Sequence, residues 1–321
     1  MVQGHAIIEP DRSLPHPEQL EKSVEFGVAL PSYGPQATRL NILDTALAAE
    51  SLGFDHVWVP DHLALPKADA ERFGHIFEAI TTLAYIAGCT RRIGLGVSAL
   101  VLPQRNPLEV AKQIATLDVL SGGRVTLAVA VGWSAGEYAN LGYEFHNRGA
   151  RMDDAIKVLR TLWRGGRVIS YQGPFYRFEQ VVFSPPPVQS GGPRLWVAGD
   201  SPRALRRAVL LGDGWHPNAL APQALAAALE RVRPLLGGRP FDVIVRTRLT
   251  FDQPPPAEGY LGGDAEAVIA QLRALQAAGA TGVVLTFVAE TQAERERALR
   301  RFATEVRPAF ASHPTTGRAD A

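Results

Sequence analysis

RIGLGVSALVLPQRNPLEVAKQIATLDVLSGGRVTLAVAV, residues 92–131, reads as an apolar strand, a loop, a helix and a second apolar strand. The helix is predicted to begin after Asn106, a preferred capping residue, with Pro107 in its first position, and to end at Gly122 and Gly123. In the second strand, RVTLAVAV, apolar residues do not alternate with polar ones, which is typical of a parallel strand covered on both faces. The stretch therefore predicts a β–α–β unit.

The same alternation of apolar runs and helical periods continues along most of the chain. Strands are predicted at EFGVAL, DHVWVP, RIGLGVSAL, RVTLAVAV, RLWVAG, DGWHP, FDVIVRTRLTF and TGVVLTF. Between Gly132 and Arg194 an amphipathic helix, a hairpin-like VISYQGPFYRFE and a proline run interrupt it. We therefore predict an α/β fold, a (β/α)8 TIM barrel formed by residues 24–321 with an insertion after strand four at about 132–194. A doubly wound sheet is the rival, but LPSYGP is not the glycine fingerprint expected after its first strand.

Composition argues against several kinds of partner. Lys and Arg number 33 against 32 Asp and Glu, so nothing suggests nucleic acid or a membrane surface. No apolar run reaches the roughly 18 residues of a membrane span. Residues 1–23 lack the regions of a signal peptide and are predicted to be a flexible extension, which indicates a cytoplasmic location. The single cysteine, Cys89, excludes an internal disulfide and is predicted to be buried on a helix.

Candidate site residues follow from the barrel, whose active site lies at the C-terminal ends of the strands. Residues just past the apolar runs are Tyr33, Asp61, His62, Ser98, Ala99, Gly132, Trp133, Gly199, Asp200, Ser201, Trp215 and His216. The histidines show no metal-ligating spacing, so no metal site is predicted. Tyr260, in the loop DQPPPAEGYLGG, is a further candidate to reach the pocket, and an exposed aromatic without a role is the alternative.

Asp61 and His62 are the candidates for proton transfer. Histidine is the side chain most easily poised near neutral pH, and an adjacent carboxylate can tune it or fix a loop. The alternative is that Asp61 caps a turn and His62 only lines the mouth.

GDSPRAL, from Gly199, is a candidate phosphate site. The amides of Asp200, Ser201 and the first helical turn, together with the helix dipole, suit an anion. Gly132 would let a flat cofactor or its phosphate approach the backbone. An ordinary capped helix and a steric glycine are the alternatives.

Three further side chains complete the candidate pocket. Trp133 and Trp215 could form apolar walls, and ordinary packing explains them equally well. His216 could be a polar group in the pocket or a partly buried structural histidine.

Several stretches together resemble one family. AAESLGFDHVWVPDHL, the block from Ile93 to Trp163 and PRLWVAGDSPRALRRAVLLGDGW are similar to the bacterial luciferase-like monooxygenase superfamily, and within it to the oxidoreductases that use the deazaflavin coenzyme F420. The resemblance implies hydride transfer between F420 and a small organic substrate. It also implies a non-prolyl cis peptide at Ser98–Ala99, in a bulge of the third strand that supports the cofactor ring. Gly132, with Trp133 beside it, and the Gly199–Ser201 turn would then hold the cofactor.

The resemblance leaves alternatives open. One is a monooxygenase using reduced FMN, with a separate flavin or F420 reductase as partner, and another is a non-enzymatic barrel that serves as a binding module. Family members are commonly homodimers, so a homodimer is expected. The F420-dependent sugar-phosphate dehydrogenases carry a glutamate just after the strand-four glycine, where this chain has Trp133. That departure argues against a sugar-phosphate substrate.

Overall fold

The computed structural model of the protein describes residues 24–311. Its strands are β1 Glu25–Ala29, β2 His56–Val59, β3 Gly94–Val101, β4 Val125–Ala130, β5 Ile169–Gln172, β6 Arg177–Val181, β7 Arg194–Ala198, β8 Gly214–His216, β9 Asp242–Phe251, β10 Leu261–Gly263 and β11 Gly282–Phe287. Its α-helices are α1 Arg39–Ser51, α2 Ala79–Cys89, α3 Pro107–Ser121, α4 Ala135–Asn140, α5 Arg148–Trp163, α6 Pro202–Leu211, α7 Pro222–Leu236, α8 Ala265–Ala277 and α9 Gln292–Arg301. The predicted extension, residues 1–23, lies outside the described residues.

Eight parallel strands close into a barrel. Their order is β1, β2, β3, β4, β7, β8, β9 and β11, and β11 pairs again with β1. These are the eight strands predicted from the sequence, so the (β/α)8 barrel is confirmed. β10 adds to β9 outside the closed ring. In the described range no helix is long and apolar enough to cross a membrane.

The barrel interior is filled by tryptophan. Trp58 on β2 stacks on Trp196 on β7, with ring centroids 5.2 Å apart and planes 23° from parallel. A Cβ atom at Gly27 of β1 or at Gly96 of β3 would overlap the Trp58 ring. The two glycines therefore provide the space that the indole occupies, and the interior is a packed core on which the mouth of the barrel rests.

The insertion is smaller than the sequence predicts. Helix α5 buries Met152, Ala155, Ile156 and Leu159, as its periodicity predicts, and it packs beside α3 and α6 in the outer ring. It therefore fills the place of the fourth barrel helix. The wide apolar face of α5 needs the barrel wall to cover it, so this helix belongs to the outer ring. Only the short helix α4 and the β5–β6 hairpin are additional to the eight strands and their helices in this part of the chain.

Two packing predictions are wrong. Cys89 lies at the end of α2 and is exposed. On α1, the helical spacing of Leu40, Leu43 and Leu47 predicts that these leucines mark the buried face, but Leu40 and Leu47 point outward and are 55% and 42% exposed. The buried face carries Ile42, Ala46 and Ala49 instead, because small side chains let this helix approach the strands closely.

Candidate functional site

A cavity of about 330 Å³ opens at the C-terminal ends of the barrel strands. It is lined by Pro60, Asp61, His62, Phe73, Ser98, Ala99, Val101, Ala130, Gly132, Trp133, Ala198, Gly199, His216, Asn218 and Arg246. Eight of the twelve candidate residues are among these, and Tyr33, Asp200, Ser201 and Trp215 are not. A larger groove, about 850 Å³, lies between α5, α6 and the start of β7, at the barrel end where such folds do not place their chemistry.

One wall of the cavity consists of small residues. Ala99, Ala130 and Ala198 lie at or near the ends of the adjacent strands β3, β4 and β7, and Gly132 and Gly199 follow β4 and β7. None of them extends beyond Cβ. They leave a shallow space across three strands, which suits a flat ring better than a branched ligand.

Strand β3 is irregular where it borders this space. Its register with β4 shifts between Val97 and Leu100, and the Ser98–Ala99 peptide bond is cis. The bulge and the cis bond implied by the family resemblance are therefore confirmed. Ser98 is held at two points, because its hydroxyl lies 2.7 Å from Nε2 of His216 and its carbonyl accepts a hydrogen bond from Nη1 of Arg246 at 2.9 Å.

His216 is a neutral histidine that fixes the bulge. Its Nδ1 donates to the carbonyl of Ile244 at 2.6 Å, so Nε2 is left to accept the proton of the Ser98 hydroxyl. Its ring stacks on Trp58 at 5.7 Å. Burial lowers the pKa of His216 to about 4, and the nearby guanidinium of Arg246 acts in the same direction. At neutral pH the ring therefore carries no charge, and His216 combines both of its predicted roles.

His62 is oriented by a glutamate that the sequence reading did not identify. Its Nδ1 lies 2.9 Å from Oε2 of Glu137, and both side chains are buried. Oε1 of Glu137 accepts the amide protons of Leu63 and Ala64 at 2.7 and 3.1 Å. Burial alone would raise the pKa of Glu137, but His62 and the two amides lower it to about 2. Because Glu137 is ionised, Nδ1 must carry a proton, which leaves Nε2 as the nitrogen that can exchange one.

Asp61 makes its hydrogen bonds to the segment at the end of β3 and not to His62. Its Oδ2 accepts the amide proton of Val101 at 2.9 Å, and its Oδ1 pairs with Arg105 at 2.6 Å. Burial acts to lower the pKa of Arg105, but the carboxylates of Asp61 and Glu78 raise it overall. Both oxygens are therefore engaged in holding the segment that follows the β3 bulge, as one of the predicted alternatives has it, and a catalytic role of Asp61 stays a prediction.

The turn after β7 forms as predicted. Gly199 has φ of 123°, and the hydroxyl of Ser201 caps α6 by accepting the amide proton of Ala204 at 3.2 Å. Oδ1 of Asp200 accepts the amide proton of Asn218 at 2.7 Å, which ties the turn to the end of β8. Gly132 also has a positive φ, 66°, and a side chain there would strike Val101. Binding of a cofactor phosphate by Gly132 and the Gly199–Ser201 turn, which we call the phosphate grip, stays a prediction.

The three predicted aromatic residues lie in different places. Trp133 is 53% exposed and presents its ring edge-on to His62 at 5.6 Å, at the mouth. Trp215 is 1% exposed and packs between barrel and helices, with its indole N–H on the carbonyl of Gly199 at 2.8 Å. Its placement in the pocket is wrong, because His216 takes the inward position of the strand and the adjacent residue must face outward. Tyr33 lies against Phe73, at the edge of the cavity.

Three important side chains, on two elements, were missed for different reasons. Glu137 follows Ser134 by three residues, a spacing that normally indicates a capping box. Ser134 does accept the amide proton of Glu137 at 3.0 Å, but the carboxylate turns to His62. Arg246 and Arg248 lie two residues apart in β9, and that period-two spacing of charge could have marked them as facing the same side of the strand. Across residues 24–311, no three His, Cys, Asp or Glu side chains are placed to hold a metal.

Comparison with known proteins agrees with this geometry. A ketoreductase of Mycobacterium sp. (strain JLS), named for phthiodiolone and phenolphthiodiolone dimycocerosates, is 31% identical over 65% of this chain and 59% of its own length. An F420-dependent glucose-6-phosphate dehydrogenase of Nocardia farcinica is 34% identical over 59% of this chain and 55% of its own. The chain thus spans little more than half the length of these relatives.

Solved structures share the fold at low sequence identity. Monooxygenase RslO1 from Streptomyces bottropensis superposes with a TM-score of 0.78 at 21% identity, over 90% of this chain and all of that one. An F420-dependent secondary alcohol dehydrogenase, solved with an F420–acetone adduct, gives 0.76 at 20% identity over the same shares. The family model for luciferase-like monooxygenases matches residues 24–255. The chain therefore belongs to the luciferase-like monooxygenase family.

Proposed function

We propose that this protein is an oxidoreductase that transfers hydride between coenzyme F420 and a small organic substrate. The observation that carries the proposal is the cavity at the strand ends, whose wall of small residues includes the β3 bulge at Ser98 and Ala99, fixed there by His216. The relatives named as F420-dependent support the choice of cofactor.

The residues present fit such a cofactor. The ring would lie on Ser98 and Ala99, across the small residues of β3, β4 and β7. Its phosphate would bind at Gly132 and at the Gly199–Ser201 turn, where the amides at the start of α6 point outward. The neutral, buried His216 supports the wall without placing a charge beside the ring.

Bound F420 supplies the hydride chemistry, and the chain supplies position and a proton. Nε2 of His62 gives a proton to the substrate oxygen or takes one from it, depending on the direction of the reaction. Glu137 keeps Nδ1 protonated, so the exchangeable position stays on Nε2. Trp133 shields His62 from one side.

Paired binding titrations test this proposal. Purified protein is titrated with F420 and, anaerobically, with reduced FMN, following the absorbance and fluorescence of each cofactor. Binding of F420 in preference to reduced FMN is the expected result. A preference for reduced FMN would contradict the proposal and favour the alternative function, a monooxygenase that receives reduced FMN from a separate reductase. Binding of neither cofactor would favour a non-enzymatic barrel.

A further inference from the structure

A second, smaller cavity of about 80 Å³ adjoins the first. Three of its lining residues are arginines, Arg72, Arg246 and Arg248. The two cavities share Phe73, Asn218 and Arg246. A group in the small cavity is therefore next to whatever occupies the large one.

These three arginines lack carboxylate partners within the described residues. Elsewhere, Arg105 pairs with Asp61 and Glu78. Here the contacts are a hydrogen bond from Arg72 to the hydroxyl of Tyr33 at 3.1 Å, stacking of Arg248 over Tyr260 at 5.7 Å, and the bond from Arg246 to the Ser98 carbonyl. Burial lowers the pKa of Arg246, and the charges of Arg72 and Arg248 add to that effect.

Like charges held together in a partly buried place are unfavourable unless an anion joins them. Guanidinium groups present several N–H donors in a plane and bind carboxylate or phosphate oxygens through paired hydrogen bonds. Arg246 uses one guanidinium nitrogen on Ser98, and the guanidinium of Arg248 donates no hydrogen bond to another described residue, so donors remain for a ligand. The small volume suits one compact anionic group.

We propose that Arg72, Arg246 and Arg248 bind an anionic group of the substrate, a carboxylate, sulfonate or phosphate, while the reacting carbon lies in the larger cavity. The assignment to the substrate rests on the proposed function. The residues of this subsite differ from those of the predicted phosphate grip, because Arg246 and Arg248 lie on β9 whereas the grip follows β4 and β7. Tyr260, from the loop before β10, closes one side of this subsite.

The test uses inorganic phosphate and methanesulfonate as probes on the intact protein. Binding is measured by calorimetry and by the shift in melting temperature, at constant ionic strength set with NaCl. Both anions are expected to bind the wild type, and Arg72→Gln or Arg248→Gln to weaken binding about tenfold or more, since each change removes a charge-assisted contact. Arg273→Gln, which removes an exposed charge from α8, is the matched control and should bind like the wild type.

The outcomes separate this subsite from the proposed function. No binding by the wild type, or equal binding by wild type and both cluster variants, would overturn the inference. Arg248→Lys keeps the charge and should retain part of the affinity, which guards against a folding artefact. If the cluster variants lose F420 affinity by the same factor, the cluster belongs to the cofactor and the substrate assignment is wrong. If the wild type binds anions but not F420, the anion site stands and the proposed cofactor fails.

Discussion

The hydroxyl of Ser98 and Nε2 of His216 lie 2.7 Å apart, although β3 and β8 are separated in the barrel by β4 and β7. The bond therefore spans the mouth of the barrel. It joins the irregular part of β3 to a histidine that rests on the interior tryptophans.

Ser98→Ala should weaken both the fold and the cofactor site. The change leaves Nε2 of His216 buried without a donor, which costs about 1–3 kcal/mol. We expect the free energy of unfolding in urea to fall by that order and F420 affinity to fall about tenfold. Ser121→Ala, in which the lost hydroxyl bonds only within its own segment on α3, should leave F420 affinity unchanged. Equal affinity of Ser98→Ala and wild type would remove this side chain from the cofactor wall.

Stability should depend on pH through His216. Its folded pKa is about 4, and its ordinary value is about 6.5. Between these values the unfolded chain binds a proton that the folded chain does not, so stability falls as pH is lowered from about 6.5 to about 4, by about 3 kcal/mol in all. Urea unfolding between about pH 6.5 and about pH 4.5 should show the loss in the wild type and not in His216→Gln.

Glu137 gives a separate acid window. Because its pKa is lowered to about 2, its contribution is present above the ordinary value near 4.5 and is lost as pH falls from there towards 2. His216→Gln should therefore still lose stability below about pH 4.5. A profile that stays flat there would contradict the buried hydrogen bonds that Glu137 accepts from His62, Leu63 and Ala64.

Glu137→Gln should impair turnover more than binding. The glutamine amide can donate to Nδ1 of His62 and so move the ring proton to Nε2, which leaves Nε2 unable to accept one. We expect kcat to fall about hundredfold with F420 affinity within twofold of wild type, as also for His62→Ala. Glu144→Gln, an exposed neighbour, is the control. Unchanged kcat in both site variants would exclude proton transfer by His62.

Ser201→Asp should separate the helix cap from the phosphate grip. Aspartate caps helices as well as serine does, so α6 should persist, but its charge would repel a phosphate a few ångströms away. F420 affinity should fall at least about tenfold, with an unchanged melting temperature. Thr38→Asp makes the same kind of change at the cap of α1 and should bind normally. Undiminished affinity of Ser201→Asp would place the phosphate elsewhere.

The barrel could be predicted from the sequence because its signals are local. Apolar runs, a capping residue such as Asn106 and terminal glycines such as Gly122 each depend on a few neighbouring positions, and the structure has the strands and helix α3 where those signals predict them. The buried face of α1 could not be predicted in this way, since Leu40 and Leu47 have the spacing of a buried helical face although both are exposed.

The candidate site was predictable in position but not in pairing. Strand ends identify His62, Ser98 and His216. The partner of His62 is 75 residues away in the chain, and nothing local distinguishes Glu137 from a capping residue. Trp215 shows a further limit, because β8 has only three residues, too few for alternation to decide which side chain points inward.

The buried ring of Trp58 fills the barrel interior beneath His216. A side chain at Gly27 or Gly96 would overlap the Trp58 ring. The three positions therefore share one volume, so a larger residue at either glycine requires a smaller one at position 58. Conversely, shortening Trp58 alone would extend the cavity downward into the barrel axis. Residue 58 thus sets the depth of the barrel core under this pocket, and a change there also removes the ring on which His216 stacks.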